Sequence, residues 1–200
     1  MLDSLLGRPG GTVATALDRL AHQLVRRGVT PNALTYSALA IGLAGAALFW
    51  LGHGWSALLV LLLSGMVDAV DGRVARLGRG PTPWGGVLDL TSDRIVEAAV
   101  LLAIAAPFPE RHLPALVLAC TWYVNLCVFL AVGAASDQQR EKIIVYPPGL
   151  LERSEALLFA TAVVVAPGWV VATAYVYAFL GLVTAAQRLR YGRRALSSHH

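Results

Sequence analysis

Four carboxylates stand in one short stretch of a chain otherwise poor in charge. Residues 68–93 read DAVDGRVARLGRGPTPWGGVLDLTSD and carry Asp68, Asp71, Asp89 and Asp93 among three arginines and a run of small residues. Asp68 and Asp71 are three apart, with Gly72 and Ala75 one turn below them, while Gly85, Asp89 and Asp93 follow at intervals of four. On two helices each set occupies one face, so the pattern aims two carboxylates from each helix at one point. Carboxylates gathered in or near a bilayer repel one another and are costly to desolvate, which calls for a compensating cation. No Cys or His lies in the stretch, and an all-oxygen donor set favours a hard ion, Mg²⁺ or Mn²⁺, over zinc. Clusters of this kind suit two ions about 4 Å apart that clamp phosphate oxygens during an in-line displacement. The chemistry indicated is phosphoryl or phosphodiester transfer.

The elements that must position these residues are apolar. The chain has 200 residues, 56% of them hydrophobic and only 14% charged, against about 25% charged in soluble globular domains. It reads as an all-α integral membrane protein. Residues 12–27 place Val13, Ala16, Leu17, Leu20, Leu24 and Val25 at helical spacing among Asp18, Arg19, His22, Gln23, Arg26 and Arg27, the pattern of an amphipathic interfacial helix. Thr30-Pro31-Asn32 then opens the first span, 33–51, nineteen residues without a charge. The second span begins at Trp55 and turns polar at Asp68 after thirteen residues, about 20 Å of helix, so its carboxylates lie within the hydrocarbon thickness or at its edge. Residues 77–83, with two Gly and two Pro, form a loop in which Thr82 reads as a solvated tip. The third span, from Gly85 to about residue 106, repeats the arrangement in reverse, polar end first. Glu97 extends its acidic face by one turn and reads either as a partner of a ligand or an arginine, or as a structural contact between helices. A fourth span covers 113–135, with Asn125 as helix glue. The fifth opens on Glu152, Arg153 and Glu155, and the sixth covers 169–186.

The expectation is therefore a six-transmembrane-helix bundle with an N-terminal amphipathic interfacial helix, divided into residues 1–30, a catalytic domain 31–190 and a basic tail 191–200. Cys120 and Cys127, seven apart on one helix, are too distant for a disulfide and read as small core residues. Fifteen of the sixteen Lys and Arg fall in or beside the segments on one side, and Arg111 alone falls on the other. The positive-inside rule then puts both termini and the Asp-rich site in the cytoplasm. The arginines are not interleaved with aromatics in a patch, so no nucleic acid is expected. The first thirty residues hold Asp3, Arg8, Pro9 and several glycines before any long apolar run, so a cleaved signal peptide is not expected.

Asp68, Asp71, Gly72, Ala75, Arg76, Gly85, Asp89 and Asp93 match DxxDGxxARx8GxxxDxxxD at each fixed position and spacing, and on these residues the chain resembles the CDP-alcohol phosphotransferases. The resemblance implies transfer of a phosphatidyl or similar group from a CDP-linked donor to an alcohol, with release of CMP, in phospholipid biosynthesis. It implies two Mg²⁺ or Mn²⁺ ions on Asp68, Asp71 and Asp89. Asp93 is implied as the base for the acceptor hydroxyl and is a fourth candidate ligand. Asp68, Gly72, Ala75, Arg76 and Gly85 would meet the nucleotide, and the buried site favours CDP-diacylglycerol as donor. A homodimer is a further expectation of the family. Members that take a phosphorylated acceptor resemble one another in carrying basic residues at the cytoplasmic end of the fourth span, yet residues 113–139 have no Lys or Arg. Arg153, with Lys142 or Arg140, is the remaining candidate for an acceptor phosphate, and lipid-headgroup contact is the alternative. Two other classes keep intramembrane carboxylates: a cation or proton transporter, and a Mg²⁺-dependent membrane prenyltransferase.

Overall fold

The structure, a computed structural model, describes residues 12–78, 80–137 and 154–197. Among these the chain is all-helical, with no strand. It divides into two compact units, one up to Phe108 and one from Pro109. Among the described residues, three helices are long and apolar enough to cross a membrane: Pro31–Trp50, Pro109–Ala135 and Pro167–Arg194.

The first unit holds four described helices: α1 (Thr12–Arg26), α2 (Pro31–Trp50), α3 (Gly54–Leu77) and α4 (Pro83–Ala105). Its two acidic helices are separated by a shorter link than expected. α3 runs to Leu77 and α4 starts at Pro83, because Thr82, read above as a loop tip, caps α4: its Oγ1 accepts the Gly85 N–H at 3.0 Å. The same Thr-Pro device opens α2, where Thr30 Oγ1 accepts the Ala33 N–H and Pro31 occupies the first turn.

Part of the apolar face of α1 packs on protein, while Leu20 stays exposed. Ala21 is fully buried, and Leu17, Leu24 and Val25 pack with it against Val70 and Val74 of α3 and Leu34 of α2. Arg73 of α3 donates from Nε to Asp18 Oδ1 at 3.0 Å and so ties the helices at the edge of this cluster. Gly28, at φ 74°, turns the chain out of α1 in the left-handed region open to glycine.

α2 sets the distance between the acidic helices. Thr35, Ala38, Gly42, Gly45 and Ala46 form its buried face, and such small residues let backbones approach closely. Ser64 Oγ of α3 donates to the Ala38 carbonyl at 2.7 Å. A Cβ on Gly42 would lie 2.6 Å from Val96 Cγ2 of α4 and 3.1 Å from Ser64 Oγ of α3. Gly42→Ala should therefore cost about 1–3 kcal/mol, the usual penalty of overpacking, and lower the unfolding temperature in detergent. An unchanged midpoint would mean that Val96 swings aside freely.

The second unit comprises a 3₁₀ turn (Pro109–Arg111), α5 (His112–Asp137), α6 (Ser154–Val165), a second 3₁₀ turn (Pro167–Trp169) and α7 (Val170–Ser197). α7 is longer than expected: Arg188, Arg190, Arg193 and Arg194, assigned above to the region beyond the last span, are all helical. Arg188 donates from NH1 to Asn125 Oδ1 of α5 at 2.8 Å and lies 5.0 Å over the Phe129 ring. One turn on, Gly192 admits Val132, whose Cγ2 would be 2.8 Å from an added Cβ. Cys120 and Cys127 are free and exposed, not core residues as expected: they occupy the outward side of α5.

Candidate active site

α3 and α4 bring together three of the four signature carboxylates. Asp68 and Asp71 lie on the buried side of α3, at 7% and 8% exposure. Asp89 comes from the second turn of α4. One carboxylate oxygen from each of the three lies within 4.8 Å of the others, close enough for a divalent cation to bridge the two helices. The donor set, three carboxylates without sulfur or imidazole, fits a hard cation. Asp93 lies outside this triad, one turn further along α4 and half-buried, with Asp89, Asp71 and Glu97 as its acidic electrostatic neighbours.

The small signature residues have distinct surroundings. Gly72 is half-buried on α3, and a Cβ there would meet only Arg76 NH1, at 3.6 Å, so the flank of the helix below Asp68 and Asp71 stays bare. Ala75 continues that flank, and Arg76 is exposed in the last turn. Gly85 is constrained from another side: a Cβ would lie 3.1 Å from Thr82 Oγ1 and 3.7 Å from Asn32 Oδ1. Its smallness lets the α4 cap close against the first turn of α2.

Two side chains not singled out by the signature complete the arrangement. Thr35 of α2, 4% exposed, donates from Oγ1 to Asp71 Oδ2 at 2.8 Å. A polar side chain in a span without charge was the signal for it, shared with its neighbours Tyr36 and Ser37. The second is Arg94, whose guanidinium fork grips Glu97 at 2.7 Å (NH2 to Oε1) and 2.6 Å (NH1 to Oε2). Of the two roles open to Glu97 in the sequence, the structure shows pairing with an arginine, within its own helix. Arg140, Lys142 and Arg153 lie outside the described residues.

Comparison with known proteins places this geometry in a family. The family model for CDP-alcohol phosphatidyltransferase matches residues 28–187, which takes in both acidic helices. Phosphatidylinositol phosphate synthase of Mycobacteroides abscessus is 32% identical over 200 aligned residues, covering 94% of this chain and 87% of the relative. The crystal structure of the phosphatidylinositol phosphate synthase of Mycobacterium tuberculosis with CDP-DAG bound superposes with a TM-score of 0.71 at 26% identity, over 88% of this chain and 92% of that one. The same enzyme in complex with manganese and citrate superposes at 0.74, again at 26% identity, over 88% of each chain. The transporter and prenyltransferase readings give way before these matches, and this integral membrane chain belongs to the CDP-alcohol phosphatidyltransferase family, enzymes that move a substituted phosphoryl group from a CDP-linked donor to an alcohol.

Proposed function

We propose that the chain transfers a phosphatidyl group from CDP-diacylglycerol to a phosphorylated polyol of the inositol phosphate class, releasing CMP. The observation that carries this is the meeting of Asp68, Asp71 and Asp89 from two helices in a chain whose relatives are phosphatidylinositol phosphate synthases. The solved relative with CDP-DAG bound supports the donor. The one with manganese supports a divalent metal, and Asp68, Asp71 and Asp89 would hold two ions, Mg²⁺ or Mn²⁺, with Asp93 beside them as the base. Such ions supply neutralisation of the diphosphate during displacement.

The chain's own residues do the rest. Gly72 and Ala75 leave the flank of α3 bare for the nucleotide, and Arg76 at its end neutralises diphosphate oxygens. Asp93 takes the proton of the acceptor hydroxyl as that oxygen bonds to phosphorus. The bond from phosphorus to the bridging oxygen breaks, and CMP leaves with its electron pair. Arg153, with Lys142 or Arg140, grips the acceptor's phosphate; an arginine fork suits two phosphate oxygens where a headgroup contact would not require it. A panel of alcohols assayed for CMP release tests this reading: inositol phosphate should be the best acceptor, and Arg153→Lys should raise its KM while leaving that of the donor level. Equal use of uncharged alcohols would remove the phosphate subsite.

For the membrane, we propose six spans, with α3, α4 and α6 crossing in addition to the three helices that are long and apolar enough to do so. α1 lies at the interface, and both termini and the site face the cytoplasm. The fifteen-to-one distribution of Lys and Arg supports this sidedness. In a background lacking Cys120 and Cys127, Arg111→Cys and Ser197→Cys should react with impermeant reagents from opposite sides. Reaction from the same side would overturn it.

A further inference from the structure

The structure assigns to Thr35 the role of a positioning residue for the metal site: its hydroxyl fixes the orientation of the Asp71 carboxylate, making α2 a third helix of the site. This rests on the reading of Asp71 as a metal ligand.

Thr35 is buried at 4% exposure, and its Oγ1 has two acceptors within reach. One is the Pro31 carbonyl one turn back, at 3.2 Å, and the other is Asp71 Oδ2, thirty-six residues away on α3, at 2.8 Å. A threonine hydroxyl has one proton to give. The carboxylate is the nearer acceptor and, when ionised, the stronger one. The other buried threonines, Thr121 and Thr184, and the half-buried Thr161 each donate to the carbonyl four residues back, at 2.8–2.9 Å. Thr35 has that bond available, at the longer distance, and reaches across to the acidic helix.

The position of the hydroxyl is held on both sides of Thr35 along α2. The Thr30 cap and Pro31 fix where the helix begins. Above Thr35, the Ser64 bond to the Ala38 carbonyl and the close approach of Val96 to Gly42 hold the same face against α3 and α4. A donor held this firmly stops the Asp71 carboxylate from turning about its Cβ–Cγ bond, and its remaining lone pairs stay aimed at the point shared with Asp68 and Asp89. Groups that orient a metal-binding side chain in this way are worth about 10- to 100-fold in metal affinity.

The test is Mn²⁺ binding to the purified full-length protein in detergent, measured by isothermal titration calorimetry alongside thermal unfolding of the metal-free protein. Thr35→Val keeps the shape and removes the donor, and should weaken Mn²⁺ about 10- to 100-fold; Thr35→Ser keeps the donor and should stay within a few-fold of the parent. Thr35→Ala replaces the valine variant should that one not fold. Adding Thr35→Val to Asp71→Asn should cause no further loss, because the two act through one carboxylate. Unaltered Mn²⁺ affinity in Thr35→Val, with Asp71→Asn impaired, overturns the role of Thr35 and leaves the ligand reading intact. Unaltered affinity in Asp71→Asn overturns both.

Discussion

Asp89→Asn should abolish CMP release from CDP-diacylglycerol, lowering it by on the order of 10²-fold or more, and should lose divalent metal affinity in parallel. Asp89 is the member of the triad that α4 contributes, so its charge is what lets a cation join that helix to α3. An amide keeps the size of the side chain, and any loss therefore reports charge. Removal of one well-placed electrostatic group from an active site costs about 10²–10³ in turnover. Asp68→Asn and Asp71→Asn should follow the same course, since each lies buried in the same cluster, where little water can substitute for a missing ligand. Calorimetric titration with Mn²⁺ checks the metal and CMP formation checks the turnover. Retention of both in any of the three variants would remove that residue from the site.

Asp93→Asn should separate the two readouts. Asp93 lies outside the 4.8 Å triad but has Asp89 and Asp71 among its electrostatic neighbours, which is where a group receiving the acceptor's proton should wait. The amide cannot take that proton. Turnover should fall by about 10²–10⁴-fold, the usual worth of a positioned base, while Mn²⁺ and donor affinity stay near those of the parent. A fall in metal affinity as large as that of Asp89→Asn would make Asp93 a ligand in place of a base.

How far the residues announced this site depends on what kind of relation each one makes. Spacings of three and four within a helix are local, so the grouping of Asp68 with Asp71, and of Asp89 with the turn that follows, could be read directly. Thr35 meets Asp71 across thirty-six residues, and nothing in an isolated hydroxyl says which helix it will face. Amphipathicity tells that α1 has an apolar face without telling what packs on it; the answer is Val70 and Val74 of α3. A hydroxyl before a proline fits a loop tip and a helix cap equally well, and at Thr82 the Gly85 N–H decides for the cap. Glu97 continued the acidic spacing, but Arg94, three residues earlier, claims its carboxylate. The sixth span is expected to end at residue 186, whereas Arg188, beyond that point, turns into the α5–α7 pair to meet Asn125.

Transfer to an alcohol served by Asp68, Asp71, Asp89 and Asp93 ties CMP release to an acceptor. The most direct test follows CMP release from CDP-diacylglycerol by the purified protein, with Mg²⁺ present, in the presence and absence of inositol phosphate, and identifies the lipid product. CMP and a phosphatidyl product should form in equal amounts only when acceptor and metal are both supplied. CMP formed at the same rate without any alcohol, or formed undiminished after chelation of the metal, would contradict it.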